Sequence, residues 1–360
     1  MKHSRRLVMR VLPFAIVATL VASGTLAAAP TLSVSQAVEL GLSQNISLKI
    51  AELNNFTAQI AYEKVVASNP TPVTRRSAEI NWEKAQDAFR AAKIDVVIST
   101  LGSYVALQNT AFDLQIKEKQ ADVALRNWEK TQILVQKGTA GVLDELQAQL
   151  NYTSAANNLA KAQDSFAEST TAFANMLGVD ELPQLSEANL LLIPEIEITA
   201  DEALQTALAH SLTIKDKEVA LELAQIQRTQ DELLGLARAD DSLSKNSLKL
   251  AELNLAKARA DFTEDVISSY NALVQLKKSL AMAQSSLEME TRKFDIVRKQ
   301  YDAGLKTPSE VENSEIALLS SQRDLRNAHR SYVLAWLSFQ KTLGNDIDLS
   351  GVVKPDASDN

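Results

Sequence analysis

Two stretches of this chain, residues 73–182 and 195–307, contain no proline, and each is more than a hundred residues long. Proline removes a helical amide and clashes with the preceding turn, so runs this long without it permit helices of unusual length. Both stretches are rich in Ala, Leu, Gln, Glu and Lys, which favour the helix at almost every position. With only ten glycines in 360 residues, few places remain where such helices can stop.

The same helical pattern is written twice. A constant offset of 166 positions, the separation of Gly138 from Gly304, carries Gly178 onto Gly344, Leu177 onto Leu343, Phe173 onto Phe339 and Leu159 onto Leu325. It also carries Ser103-Tyr104 onto Ser269-Tyr270, Ala37 onto Ala203 and Lys49 onto Lys215, and no gap is needed between residues 32–178 and 198–344. A fixed offset held over so long a span is the mark of an internal duplication. The chain therefore divides into a first repeat at 29–179, a linker at 180–197 holding Pro183 and Pro194, a second repeat at 198–344, and an acidic tail at 345–360 expected to be disordered.

Each repeat opens on a capping box, Ser33-x-x-Gln36 or Thr199-x-x-Glu202, in which two side chains satisfy amides at a helix start. A short helix follows, then one of about 22 residues ending near Ser68, then a turn over 68–77 signalled by Asn69-Pro70 and Pro72, matched by 235–244 in the second copy. Next comes a helix of about 60 residues, 78–137 and 243–303, spanning roughly 90 Å at about 1.5 Å per residue. Tight turns at 138–141 and 304–308 lead to a last helix of about 35 residues that ends at Gly178 or Gly344. Apolar residues keep a seven-residue period: on the long helix Val266, Leu273, Leu280, Leu287, Phe294 and Tyr301 form one row and Leu248, Leu255, Phe262, Ser269 and Leu276 a second, and on the last helix Val311, Leu318, Leu325, Tyr332 and Phe339 run beside the small row Ser314, Ser321, Ala328 and Ala335. Period seven implies supercoiled, knobs-into-holes packing, and two rows on each long helix imply two neighbours. The reading is all-α, two tandem copies of a long antiparallel coiled-coil unit with few or no β-strands. An ordinary antiparallel or spectrin-like bundle fits the periodicity as well.

The amino terminus is an address. Lys2, Arg5, Arg6 and Arg10 precede an uncharged stretch from Val11 that ends in Thr25-Leu26-Ala27-Ala28-Ala29, the basic, apolar, small order of a secretory signal, with cleavage after Ala27 or Ala28. An uncleaved anchor is the alternative, since the stretch nearly spans a bilayer. Removing the four basic residues takes the formal charge from −8 to about −12. An acidic chain lacks the basic surface that nucleic acid requires. Without cysteine there is no disulfide scaffold, thiol nucleophile or zinc-thiolate site, and His3, His210 and His329 are too scattered for a metal cluster. No phosphate loop or nucleophile elbow is present. Nothing here points to an enzyme, a cofactor or a metal.

This order of elements, duplicated behind a signal, resembles the TolC-like outer-membrane efflux protein family over residues 32–344. The opening Leu32-Ser33-Val34-Ser35-Gln36-Ala37-Val38 through Asn45 to Leu48-Lys49 looks like the family's first segment, and Tyr301-Asp302-Ala303-Gly304-Leu305 like its second turn. The resemblance implies a homotrimeric α-helical barrel crossing the cell envelope and docking at its tips onto a periplasmic adaptor (membrane fusion) protein and an inner-membrane transporter, as in efflux or type I secretion. It implies docking roles for Gly138, Thr139, Gly304 and Leu305, and a closing network of Tyr301, Lys306, Glu310 and, in the first repeat, Asp144. Asn313 stands where a further acid is expected, which weakens any acidic ring. The plainer reading makes Tyr301 a heptad residue and the charges solvated turn residues.

One departure divides the functional expectation. The family inserts two membrane-spanning strands between the 22-residue and the long helix of each repeat, and each strand needs about 9 to 11 residues. Residues 66–78 and 235–244 offer no such length, and they carry Pro70, Pro72, Arg75, Arg76, Arg238, Asp240 and Asp241. Irregular backbone cannot substitute in lipid. The expectation is a duct component of the envelope, periplasmic or outer-membrane-associated, that lacks its own membrane barrel. The alternative is a non-transport scaffold or adaptor-binding regulator built on the same fold. Polar residues between the heptad rows, among them Gln147, Asn151, Ser154, Asn157 and Asn158, suit a water-filled lumen and favour the duct.

Overall fold

A computed structural model describes residues 31–185, 193–234 and 237–346; the signal and the tail beyond 346 lie outside them. Among the described residues eight helices follow in order: α1 (Val34–Gln44), α2 (Ile46–Ala67), α3 (Pro72–Gln136), α4 (Val142–Leu177), α5 (Ala200–His210), α6 (Leu212–Leu234), α7 (Arg238–Asp302) and α8 (Pro308–Leu343). The 166-residue offset carries the bounds of α1, α3 and α4 onto those of α5, α7 and α8, and α2 onto α6 within one residue. Among the described residues the strands are β1 (Thr31–Leu32) and β2 (Gln184–Leu185), which pair in parallel.

The long helices begin earlier than the sequence suggests. Helix α3 starts at Pro72 rather than near 78, and α7 at Arg238 rather than near 243. Pro72 does not break α3 but opens it: the first helical position has no amide to lose, and Thr71 accepts from the amide of Thr74 at 3.2 Å as the cap. Each long helix therefore has 65 residues and a length of about 97 Å. The turn expected over 68–77 shrinks to the four residues 68–71, and in the second copy α6 runs to Leu234 and α7 starts at Arg238. Two membrane-spanning strands have no room in either place.

Each long helix is flanked by two shorter ones laid end to end. The end of α4 at Gly178 abuts Gln44, just before α2 begins, and the end of α8 at Gly344 abuts His210, just before α6 begins. The packing makes one layer. On the side of the 137–141 and 303–307 turns its order is α4, α3, α8, α7, and on the other side α2, α3, α6, α7. Helix α3 is interior throughout, whereas α7, α2 and α4 form the layer's two open edges.

The core sits midway, as a collar where α1 and α5 cross the long helices. Leu101, Tyr104, Leu177, Leu337 and Tyr332 have no exposure to solvent. Burying each such side chain contributes about 1.5–3 kcal/mol. The duplication extends to single hydrogen bonds: the Tyr104 hydroxyl donates to the Leu32 carbonyl at 2.9 Å, and the Tyr270 hydroxyl to that of Ile198 at 3.1 Å. Their rings meet Phe173 and Phe339 with centroids 6.1 and 6.0 Å apart. Close approach is secured by Gly41 of α1, where a Cβ would lie 2.6 Å from the Thr100 hydroxyl oxygen.

Candidate functional site

The two turns at one end of the rod share one construction. Gly138 and Gly304 adopt φ of 71° and 72°, a left-handed conformation that side chains resist and glycine does not. Each closes a Schellman motif. The Gly138 amide donates to Val135 O and the Thr139 amide to Leu134 O, both at 2.9 Å, and the Gly304 and Leu305 amides donate to Tyr301 O and Gln300 O, both at 2.8 Å. Beyond the adjoining residues no atom lies within 4 Å of a Cβ placed on either glycine, so the turns stand free in solvent. Leu305 is 74% exposed, an apolar side chain at the extremity of a charged rod. The Thr139 hydroxyl turns back to donate to Leu134 O at 3.0 Å.

Asp144 and Glu310 occupy the same position in the two copies, and both serve the start of a helix. The Gly141 amide donates to Asp144 Oδ2 at 2.9 Å, and the Thr307 amide to Glu310 Oε2 at 2.8 Å. Glu310 also takes the Lys306 ammonium at 2.6 Å. The Lys306 hydrogen bond first, then the amide and hydroxyl of Thr307, hold its carboxyl down to about 2. Within one chain the structure thus joins Lys306 to Glu310 and Asp144 to Gly141. Tyr301 stands apart, 42% exposed, its carbonyl accepting from Gly304. The heptad row that ends in Tyr301 is buried at Val266, Leu273 and Leu280 and opens to solvent as it nears the turn.

Above the turns, a groove of about 280 Å³ runs along α3 between α4 and α8. Its lining includes Gln120, Asn127 and Thr131 of α3, Asn151 of α4 and Asn313 of α8. Asn151 also accepts from Gln147 Nε2 at 3.0 Å. The residue that replaces an expected acid thus belongs to a neutral, hydrogen-bonding surface.

What sequence reading missed is the join between the two repeats. Helix α3 meets α8 through Asp95–Lys341 at 2.7 Å, Asp113–Arg323 at 2.8 Å, Lys119–Glu315 at 2.8 Å and Arg126–Glu312 at 2.6 Å. It meets α6 through Lys84–Asp216 at 2.5 Å, Glu83–Lys215 at 2.7 Å and Arg76–Glu222 at 3.7 Å. Along the seam as a whole, position numbers fall on α8 and α6 as they rise on α3, the adjacent pairs of Glu83 and Lys84 aside, as an antiparallel register requires. Each half-exposed pair contributes little alone, about 0.2–1 kcal/mol, but seven along one line fix which helices lie side by side. The open edges carry the opposite chemistry. Ile50, Leu53 and Phe56 on α2, Leu146 and Leu150 on α4, and Leu250, Met282 and Ile296 on α7 are each at least half exposed. Among the described residues no helix is long and apolar enough to cross a membrane.

A family model described as outer membrane efflux protein matches residues 30–179 and 188–345, the two repeats in turn. Among solved structures, CusC aligns with a TM-score of 0.60 and 17% identity over 87% of this chain and 92% of that one. The VceC outer membrane protein of Vibrio cholerae gives 0.58 and 15% over 88% and 97%. The CmeC outer membrane channel of Campylobacter jejuni gives 0.57 and 15% over 91% and 88%. At such identities the likeness is one of fold. Among curated proteins no significant match is found.

Proposed function

Because the chain belongs to the outer membrane efflux protein family, we propose that it is the envelope duct of a multipartite efflux or secretion system, assembled as a trimer and carrying no membrane pore of its own. The observation that carries this reading is the open layer. A sheet four helices wide, ionic along its middle and with exposed apolar side chains along both edges, is an unfinished wall, and copies set edge to edge close it into a tube. Exposed apolar surface of this extent marks an interface. The neutral groove lined by Asn127, Asn151 and Asn313 supports a wall that solutes pass without being held.

The turns at Gly138-Thr139 and Gly304-Leu305 are the surfaces offered to a periplasmic adaptor and, through it, to an inner-membrane transporter. Two Schellman turns presenting Thr139 and an exposed Leu305 are rigid, repeated and free of intramolecular cover, as a docking point must be. Tyr301, Lys306, Glu310 and Asp144 lie at the same end and would line the mouth of the tube. At the opposite end the bounds of α2 and α3, and of α6 and α7, leave no place for a barrel, so passage through the outer membrane falls to another protein.

The test is the native mass of the chain from Ala29 onward, measured without and with detergent. Three copies in both conditions are expected. A monomer in both would overturn the self-assembled duct and leave a scaffold role. A trimer found only in detergent would show that a lipid-facing segment exists.

A further inference from the structure

Where the first part of the linker, residues 182–185, meets α3, α4 and α8, a cavity of about 600 Å³ remains. It has twice the volume of the groove above the turns and falls within the range of small-molecule sites, about 300–1,000 Å³. The residues that shape it belong to the first repeat alone. Thr170 of α4 lines it, and the counterpart of Thr170, 166 positions on, is Trp336, packed against the core. Phe112 of α3 and Arg326 of α8 also line it, and their counterparts are Lys278 and Ala160.

The walls divide by chemistry. Leu107, Phe112, Phe166, Leu182, Pro183 and Leu319 give apolar surface. Among the described residues of the lining, Arg326 is the one that carries charge, and no acid stands beside it there. Its guanidinium is held over the Phe112 ring, 4.2 Å from the centroid, which fixes the cation's place without cancelling its charge. Gln108 and Gln115 of α3 and Gln322 of α8 add carboxamides, whose N–H groups donate to an anion. The cavity also faces away from the neutral groove. Gln108 and Gln115 stand one heptad apart on α3, and Gln120 of the groove comes five residues after Gln115. Five residues at about 100° each end about 140° past a full turn, so the two spaces open on different faces of the helix.

We propose that this cavity binds an alkyl carboxylate, its chain among the leucines and phenylalanines and its head on Arg326. One guanidinium matches the single charge of a carboxylate, which it takes on two donors at once. A phosphate monoester would bring a second charge with no partner in the lining, and an ammonium head would meet Arg326 as a like charge. Bound there, the ligand ties the linker to α3 and α8 where the two repeats join. Because the cavity opens away from the groove assigned to the lumen, the ligand is held by the wall of the duct and is not its cargo. Only this last placement rests on the duct proposed above.

The test is calorimetric titration of decanoate, below the concentration at which it forms micelles, into the chain from Ala29 onward. Decanol and decyltrimethylammonium are the neutral and cationic controls. Saturable binding of one decanoate per chain is expected, with decanol weaker and decyltrimethylammonium not bound. Arg326→Gln should weaken decanoate about ten- to a hundredfold, as the loss of a hydrogen bond to a charged group does, and leave decanol unchanged. Thr170→Trp, which sets the second repeat's own side chain in the cavity, should abolish binding of both. Circular dichroism checks the fold of each variant; if Thr170→Trp fails to fold, Ala111→Trp blocks the same cavity from an exposed position. No binding of decanoate, or equal binding of the ammonium, overturns the site. Binding that the tryptophan and Arg326→Gln leave unchanged is adventitious coating of the open apolar edges and overturns it as well. A monomeric native mass with decanoate bound one to one overturns the duct and leaves the site standing.

Discussion

Gly178 and Gly344 end α4 and α8 at φ of 68° and 82°, equivalent positions with unequal surroundings. A Cβ on Gly178 would find Gln44 Cβ at 3.7 Å, an ordinary contact. A Cβ on Gly344 would find His210 Cβ at 2.5 Å and Cγ at 3.2 Å. The left-handed conformation costs an alanine about 1–2 kcal/mol. The stiffer unfolded chain returns about 0.4–1 kcal/mol of this. Gly178→Ala should therefore cost about 0.5–1 kcal/mol net. Gly344→Ala adds an overlap with an atom fixed to the backbone of α5, which no rotamer change relieves, and overpacking of that kind costs about 1–3 kcal/mol more. Urea unfolding read as a midpoint shift at constant slope measures both. A second substitution locates the cause. His210→Gly should recover most of the excess in the Gly344→Ala background, whereas His210→Ala, which keeps the offending Cβ, should recover little. Equal losses for the two glycines, or full rescue by His210→Ala, would refute the reasoning.

Tyr104→Phe leaves the Leu32 carbonyl, at a position 5% exposed, without its hydroxyl donor and should cost about 1–3 kcal/mol; Tyr270→Phe, at the part-buried equivalent, should cost less, because water can replace the donor. Glu310 is held at about 2 in the fold against 4.5 ordinarily, so its contribution to the α8 start is complete above about 4.5 and is lost as pH falls toward 2. Amide exchange in the first turn of α8 should accelerate over that window, and Glu310→Gln should show no such window. Ile116→Ala should cost about 2–5 kcal/mol of chain stability. Met282→Ala, at the exposed equivalent, should change chain stability by less than about 0.5 kcal/mol yet weaken association between copies, read as a higher dissociation midpoint in sedimentation.

Much of this molecule is legible from residue order alone. The helix count, the duplication and its offset, the capping boxes at Ser33 and Thr199, and the glycine turns all rest on short-range rules, and they recur at the same positions in the structure. The start of α3 was not legible, because proline reads as a breaker unless its place within the first turn is known, and only the Thr71 cap reveals that place; the start of α7 carries no side-chain cap to mark it. The site was legible by type and not by partnership. Asp144 and Glu310 stand out near their turns, but that both cap their own helices depends on which amide each reaches. The ionic seam was hidden for another reason. Its members lie up to 246 residues apart, as Asp95 and Lys341 do, and nothing marks them as partners until the antiparallel register is set.

Duplication supplied this chain with two copies of one backbone, and position in the layer decided what each copy did with its side chains. Helix α3 has neighbours on both flanks and α7 on one. Where α3 buries Leu101 completely, α7 leaves Ile267 at 39% exposure, and where α3 carries Lys84 toward an aspartate, α7 carries Leu250 toward solvent. Had the repeats closed on each other within one chain, both seams would face the same surroundings and the same chemistry would serve both. Their divergence follows the one asymmetry the fold contains, an interior seam and an open edge, and an apolar open edge is tolerable only where another surface covers it. The pattern of difference between the two repeats is therefore itself an argument for assembly, independent of any likeness to other channels.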